Sequence, residues 1–92
     1  MRRAVITGAG IVSSLGNSLA AVAASLAAGR SGIERVPEWE RLGLRSTVCG
    51  VVHGADELAD ELEIPRRHRL AMSRAALYSA VAAQQAVRDA GL

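Results

Sequence analysis

Lysine and phenylalanine are absent from this sequence of 92 residues, and Trp39 and Tyr78 are its only aromatic residues. Hydrophobic residues nevertheless make up 50% of the chain, which excludes an intrinsically disordered protein. Alanine is the commonest of them, and small side chains each bury little area, at about 25 cal/mol per Å². We therefore predict helices that pack closely within a larger structure, because so short a chain has only a thin core of its own.

A strong excess of charge of one sign is also missing. Eleven arginines against nine acidic residues give a net charge of +2, without a basic stripe or a reader motif, so we expect no nucleic-acid partner. A single cysteine excludes an internal disulfide and is typical of a cytoplasmic protein. No run of about 20 apolar residues exists, so no membrane span is predicted. The apolar run after Arg2 and Arg3 is interrupted by glycine and serine, which disfavours a secretory signal.

The first thirty residues follow a strand, loop and helix pattern. Residues 4–6 form an apolar run rich in β-branched side chains, which predicts a strand buried on both faces, as in α/β sheets. Asn17 or Ser18 can cap the following helix, and Gly29 is placed to end it. The predicted apolar face of this helix consists of Leu19, Val22, Ala23 and Leu26.

The rest of the chain is predicted to be mostly helical. We expect residues 31–44 to be irregular, with Trp39 and Leu42 contacting the core, and residues 45–52 to form a strand. A short acidic helix is predicted over 56–63, and Pro65 begins another helical segment. The last helix spans about residues 72–90, with Gly91 as its cap. It carries two apolar stripes, one formed by Met72, Ala76, Ala80, Ala83 and Val87 and the other by Leu70, Leu77 and Val81.

Three motifs that could carry chemistry are weak. Residues 7–10, Thr-Gly-Ala-Gly, follow the predicted strand but lack the third glycine of a dinucleotide fingerprint, so we expect a tight turn and no cofactor. Cys49 lies within a predicted strand, away from any helix N-terminus, which favours a buried structural residue over a nucleophile. His53 and His68 are not spaced as metal ligands with Cys49, so no metal site is predicted.

The basic cluster at residues 66–69, Arg-Arg-His-Arg, has two interpretations. Arginine side chains recognise phosphate and carboxylate groups, so Arg66, Arg67 and Arg69 could bind an anionic partner. Alternatively, the cluster is a solvated helix face that balances the acidic segment before it, through ion pairs with Glu61 or Glu63.

Several separated stretches together resemble the β-ketoacyl-acyl carrier protein synthases, most of all their type I members. They are residues 3–17, 29–33, 44–50 and, in the last helix, 72–73, Tyr78 and 85–92. The resemblance spans nearly the whole chain and implies the N-terminal portion, residues 1–92, of a thiolase-like layered α/β/α domain. It also implies a transferase of fatty-acid biosynthesis that receives acyl groups from an acyl carrier protein and forms a homodimer at full length.

The same resemblance assigns roles within this chain. The family's catalytic cysteine and two histidines lie downstream of residue 92, so we expect no catalytic residue here and no activity of the chain alone. The family usually has an aromatic residue where Cys49 stands, and its segment before the long helix is shorter and less acidic than residues 52–65. Basic residues before the Met-Ser pair of the long helix bind the carrier protein. Counting back from Met72 and Ser73 gives that role to Arg67, with Arg66 beside it and Arg69 as a less direct match.

The sequence leaves other functions open. The last helix ends where a parallel α/β arrangement requires another strand, which predicts a fragment. A non-enzymatic truncated remnant or an interaction module therefore remains an alternative. A polyketide-type ketosynthase is a variant of the main interpretation, whereas the failed glycine patterns disfavour a nucleotide-binding oxidoreductase.

Overall fold

The computed structural model describes residues 2–92 and contains both helices and strands, in agreement with the expected α/β class. In chain order, its elements are α1 (Leu19–Ala27), β1 (Ile33–Arg35), α2 (Pro37–Arg41), β2 (Val48–Gly50), α3 (Ala55–Glu61), α4 (Arg66–Arg69) and α5 (Arg74–Asp89).

The predicted strand at residues 4–6 is wrong for this chain. Residues 2–12 contain no helix or strand, and the side chains of Val5 and Ile6 are 77% and 91% exposed. A strand needs a hydrogen-bonded neighbour, and no other segment within residues 2–92 pairs with these three. The apolar side chains therefore lie in solvent, where they gain no burial energy.

Local capping residues set the ends of the two long helices; those at Ser18, Gly29 and Gly91 were predicted, and the N-cap at Ser73 was not. Ser18 caps α1 by accepting a hydrogen bond from the Ala21 backbone at 3.1 Å, and Ser73 caps α5 in the same way from Ala76. Beyond the C-terminal ends, Gly29 and Gly91 have φ angles of 66° and 78°, which glycine adopts without a Cβ penalty.

The predicted apolar face of α1 is not buried. Leu19 and Leu26 are 47% and 65% exposed, and the buried residue of this helix is Ser25. The Ser25 hydroxyl donates a hydrogen bond to the Leu15 carbonyl at 2.9 Å, which satisfies the polar group within the protein. Helix α1 therefore leaves its apolar face uncovered in this chain.

A short antiparallel pair occupies part of the segment that was expected to be irregular. Strand β1 pairs with β2 in the register Ile33 to Gly50, Glu34 to Cys49 and Arg35 to Val48. Between them Pro37 begins α2, where its missing N–H is not needed by the helix. The expectation for residues 31–44 is therefore wrong, and Leu42, which was expected to contact the core, is 72% exposed.

The core lies where α3 packs on α5. Ala59 and Leu62 contact Leu77 and Val81, and all four side chains are buried. The predicted helices at 56–63 and 72–90 are thus confirmed, and the second apolar stripe of α5 provides its core face. Leu70, although part of that stripe by spacing, lies before α5 and is 78% exposed.

The N-terminal segment packs against the other side of α5 through glycines. A Cβ at Gly8 would overlap the carbonyl oxygen of Ala86, and one at Gly10 would overlap that of Ala82. The Ala9 amide donates to the Asp89 carboxylate at 3.1 Å. The predicted role of residues 7–10 as a tight turn is therefore replaced by a close approach of two backbones.

Much of the apolar surface stays uncovered. The radius of gyration is 16.1 Å, whereas a compact domain of this length has one of about 12 Å. The accessible surface is 6924 Å², and a folded monomer of this mass exposes about 5,100 Å². Within residues 2–92, no helix is both long and apolar enough to cross a lipid bilayer.

Candidate functional site

The basic cluster lies on α4, a single helical turn that links α3 to α5. Pro65 stands at its N-cap, and the amides of His68 and Arg69 bond to the Pro65 carbonyl. Arg66 and Arg67 are exposed, and neither forms an ion pair within residues 2–92. Two neighbouring guanidinium groups are therefore available to bind an anion.

Arg69 has a different environment from its neighbours. Its Nη2 atom lies 2.6 Å from Oδ1 of Asp60 on α3, and its side chain is only 20% exposed. Its Nε atom is buried without a hydrogen-bond partner. The intrachain ion pair of the cluster thus involves Asp60, whereas sequence reasoning had named Glu61 or Glu63.

A second ion pair joins α3 to the start of α5. Arg74 Nη1 donates to both carboxylate oxygens of Asp56, at 3.1 and 3.3 Å, and its guanidinium carbon lies 5.2 Å from the centroid of the Tyr78 ring. The Asp56 carboxylate, and to a smaller degree Tyr78, hold the pKa of Arg74 above its usual value. Arg74 therefore stays cationic, and its charge is neutralised locally.

Helix α3 supplies both carboxylates because of its periodicity. Ala55, Ala59 and Leu62 are spaced by four and three residues and form its buried face. Asp56 and Asp60 are also four residues apart, so they share a flank of the helix beside that face. The acidic segment thus presents two of its carboxylates to the arginines that follow it in the chain.

These groups surround an open groove of about 360 Å³ between α3, α4 and α5. Three arginines and two aspartates contribute to its walls, and apolar side chains form part of its floor. The lining includes Asp56, Asp60, Arg66, Arg69, Arg74 and Leu77. With two of the three arginines paired, Arg66 is the lining arginine whose charge is not neutralised.

The other candidate groups do not assemble into a reactive site. Cys49 lies in β2 opposite Glu34, as its predicted place in a strand requires, and is half-buried. His53 Nε2 lies 2.8 Å from a carboxylate oxygen of Glu34, so the histidine has a partner other than the thiol. No group of three or more potential metal ligands occurs within residues 2–92. Gly8 and Gly10 lie well before the start of α1 and contact α5 instead.

Comparison with known families identifies the class to which this chain belongs. Residues 1–92 match the family "Beta-ketoacyl synthase, N-terminal domain", so the match covers the entire chain. The chain therefore belongs to the β-ketoacyl synthase family, which confirms the resemblance seen in its sequence.

Three similar proteins from different bacteria share the same name. The chain is 46% identical over 92 residues to 3-oxoacyl-[acyl-carrier-protein] synthase 1 of Haemophilus influenzae and 47% identical over 92 residues to that of Escherichia coli K12. It is 44% identical over 90 residues to the protein of the same name from Buchnera aphidicola of Acyrthosiphon pisum. These alignments cover 98–100% of this chain but 21–22% of each relative, so the chain spans about a fifth of their length.

Proposed function

We propose that this chain is part of a 3-oxoacyl-[acyl-carrier-protein] synthase and contributes to the surface that receives the acyl carrier protein. The observation that carries the proposal is the identity of 46–47% along the whole chain to relatives of that name. In such an enzyme an acyl group is condensed with a malonyl group held by the carrier protein. The chemistry itself requires a nucleophilic cysteine and two histidines, which the resemblance places downstream of residue 92 and not at Cys49, His53 or His68.

The carrier-protein surface is proposed to lie on α4. Arg66 and Arg67 are exposed and unpaired within the described residues; Arg66 lines the open groove, and Arg67 is the next residue on α4. These two positive charges should raise the rate at which a partner with acidic side chains associates, because complementary charge steers association. Arg69 belongs to the same cluster, but it reaches any partner only in competition with Asp60.

The finer architecture is also proposed rather than observed. In the complete enzyme, residues 4–6 would form a strand of a layered α/β/α sheet of thiolase type. The β-branched side chains of Val5 and Ile6 and their nearly full exposure support this, since burial in such a sheet would recover their hydrophobic energy. A homodimer of the full-length enzyme is part of the same proposal.

The proposal can be tested in a chimera in which this whole chain replaces the 92 residues that it matches in the E. coli relative. Arg67→Glu should weaken binding of the acyl carrier protein about five- to tenfold at low ionic strength, because it places a like charge against the acidic partner. The loss should shrink near 0.15 M salt, where the Debye length is about 8 Å. Binding is measured by titration calorimetry, and folding by circular dichroism.

Arg45→Glu provides the matched control. Arg45 is also exposed and unpaired within residues 2–92, and its reversal changes the net charge by the same amount. Equal losses of carrier-protein affinity from both variants would show that the effect comes from net charge alone. Unchanged carrier affinity with Arg67→Glu, together with lower stability, would assign the cluster to the acidic segment and contradict the proposed function.

A further inference from the structure

Helix α3 places a carboxylate against the one arginine of the cluster that is mostly buried. Asp60 Oδ1 lies 2.6 Å from Arg69 Nη2, and the Arg69 side chain is 20% exposed against 66% for Asp60. Because the arginine is largely removed from water, its attraction to the carboxylate is screened less than that of a fully exposed pair. Arg69 is therefore held more strongly by its carboxylate than a fully exposed arginine would be.

The two ion pairs change the charge that an approaching molecule meets. Asp56 neutralises Arg74 and Asp60 neutralises Arg69, so the groove walls carry the free charge of Arg66, with Arg67 beside it on α4. The sequence alone shows four arginines between residues 66 and 74 and predicts a more strongly positive surface. The carboxylates of α3 thus lie against two of the four arginines that an acidic partner could otherwise contact.

We infer that Asp60 masks Arg69 and so acts as a specificity-determining residue of the carrier-protein surface, confining its free positive charge to Arg66 and Arg67. This inference rests on the proposed function, because it concerns the same surface. Its physical basis is competition: a partner carboxylate gains an ion pair with Arg69 only if the Asp60 contact breaks, and the exchange leaves little net gain. Masking therefore keeps the affinity for acidic partners low and makes recognition depend on two adjacent arginines.

Masking predicts an effect of opposite sign from that of ordinary structural damage. In the chimera, Asp60→Asn removes the competing carboxylate and keeps a side chain of similar size. We expect it to tighten binding of the acyl carrier protein about two- to fivefold at low ionic strength, which is the scale of one partly exposed ion pair. If Asp60 only held α4 in place, the same substitution would instead weaken binding.

Glu61→Gln separates masking from long-range charge. Glu61 is the next residue on α3, it is exposed, and it forms no ion pair within residues 2–92. The substitution Glu61→Gln alters the net charge of the protein by the same amount as Asp60→Asn. A gain of affinity confined to Asp60→Asn supports masking, whereas equal gains from both variants would show a general charge effect and overturn it.

The double variant Asp60→Asn with Arg69→Met completes the test and does not depend on an unpaired Arg69 being tolerated. It removes both charges of the pair, so the net charge is unchanged, and masking predicts carrier affinity equal to that of the unsubstituted chimera. A clear loss of affinity in a folded double variant would show that Arg69 binds the carrier protein directly, which contradicts masking.

The proposed function fails separately from this inference. If Arg67→Glu weakens binding but Asp60→Asn does not strengthen it, the docking surface stands and the masking role of Asp60 is wrong. If neither Arg67→Glu nor Asp60→Asn alters binding, α4 is not the carrier-protein surface, and the proposal on which the inference rests fails with it.

Discussion

Gln85 of α5 holds Ile11 of the N-terminal segment through a hydrogen bond of 3.2 Å from the Ile11 amide to the glutamine Oε1. The same side chain donates from Nε2 to the Asn17 carbonyl at 2.6 Å. One glutamine therefore satisfies two backbone groups that are six positions apart in an otherwise irregular segment. Together with the glycine contacts at Ala82 and Ala86, it ties that segment to the helix.

Replacing this glutamine should loosen the N-terminal segment. Gln85→Met keeps the length of the side chain but removes both hydrogen bonds, leaving two half-buried backbone groups unpaired at a cost of about 1–3 kcal/mol. Hydrogen exchange measured by mass spectrometry should show faster exchange of residues 8–17. Gln84→Met, at the neighbouring position, serves as the control, and equal acceleration by both substitutions would contradict the role given to Gln85.

Two leucines from the same predicted stripe should respond differently to truncation. Leu77 is buried against α3, so Leu77→Ala should lower the free energy of unfolding by about 2–5 kcal/mol. Leu70 is largely exposed, and Leu70→Ala should change it by less than about 0.5 kcal/mol. Urea unfolding of the chimera, followed by circular dichroism, measures both. Similar losses would mean that Leu70 becomes buried in the longer protein.

Cys49, the single thiol of this chain, should be dispensable for catalysis by the chimera. Cys49→Ser in the chimera should leave the rate of condensation close to that of the parent, because Cys49 lies within β2, where its neighbour across the strands is Glu34. A rate assay with malonyl carrier protein checks this. A loss on the order of 10³-fold with folding intact, as removal of a nucleophile causes, would show that the thiol takes part in the reaction.

The chain by itself should associate. Val5, Ile6 and the apolar face of α1 are exposed together with other large hydrophobic residues, and uncovered apolar surface of this kind drives self-association. Sedimentation of the 92-residue chain at increasing concentration should show species larger than the monomer. A monodisperse monomer with a sharp, cooperative thermal transition would disprove this expectation.

Helices with their own capping and periodicity signals were predictable from the sequence, whereas elements that depend on distant partners were not. Gly91 and the spacing of Leu77 and Val81 predicted α5, because these signals lie within it or directly beside it. Strand β1 has only three residues and exists because β2 pairs with it. The segment at residues 4–6 has strong strand propensity but no neighbour in the described chain. Pairing across the sequence, not propensity, decides such cases.

The basic cluster was visible in the sequence, but the state of each arginine was not. Composition marks Arg66, Arg67 and Arg69 equally, and only the packing of α3 on α5 brings Asp60 to Arg69. A signal was nevertheless present, because Ala55, Ala59 and Leu62 define the buried face of α3 and thereby place Asp56 and Asp60 on one flank. Counting acidic residues without helical phase led instead to Glu61 and Glu63.

The use of both sides of α5 determines where this chain tolerates changes of length. An α-helix turns by about 100° per residue, so one residue inserted after Val81 would rotate Gln85 and Ala86 away from the N-terminal segment while Leu77 kept its contact with α3. Insertions and deletions should therefore be excluded from α5. The turn at Gly43 faces open space and separates two short elements, so an inserted residue should be tolerated there far better than within α5.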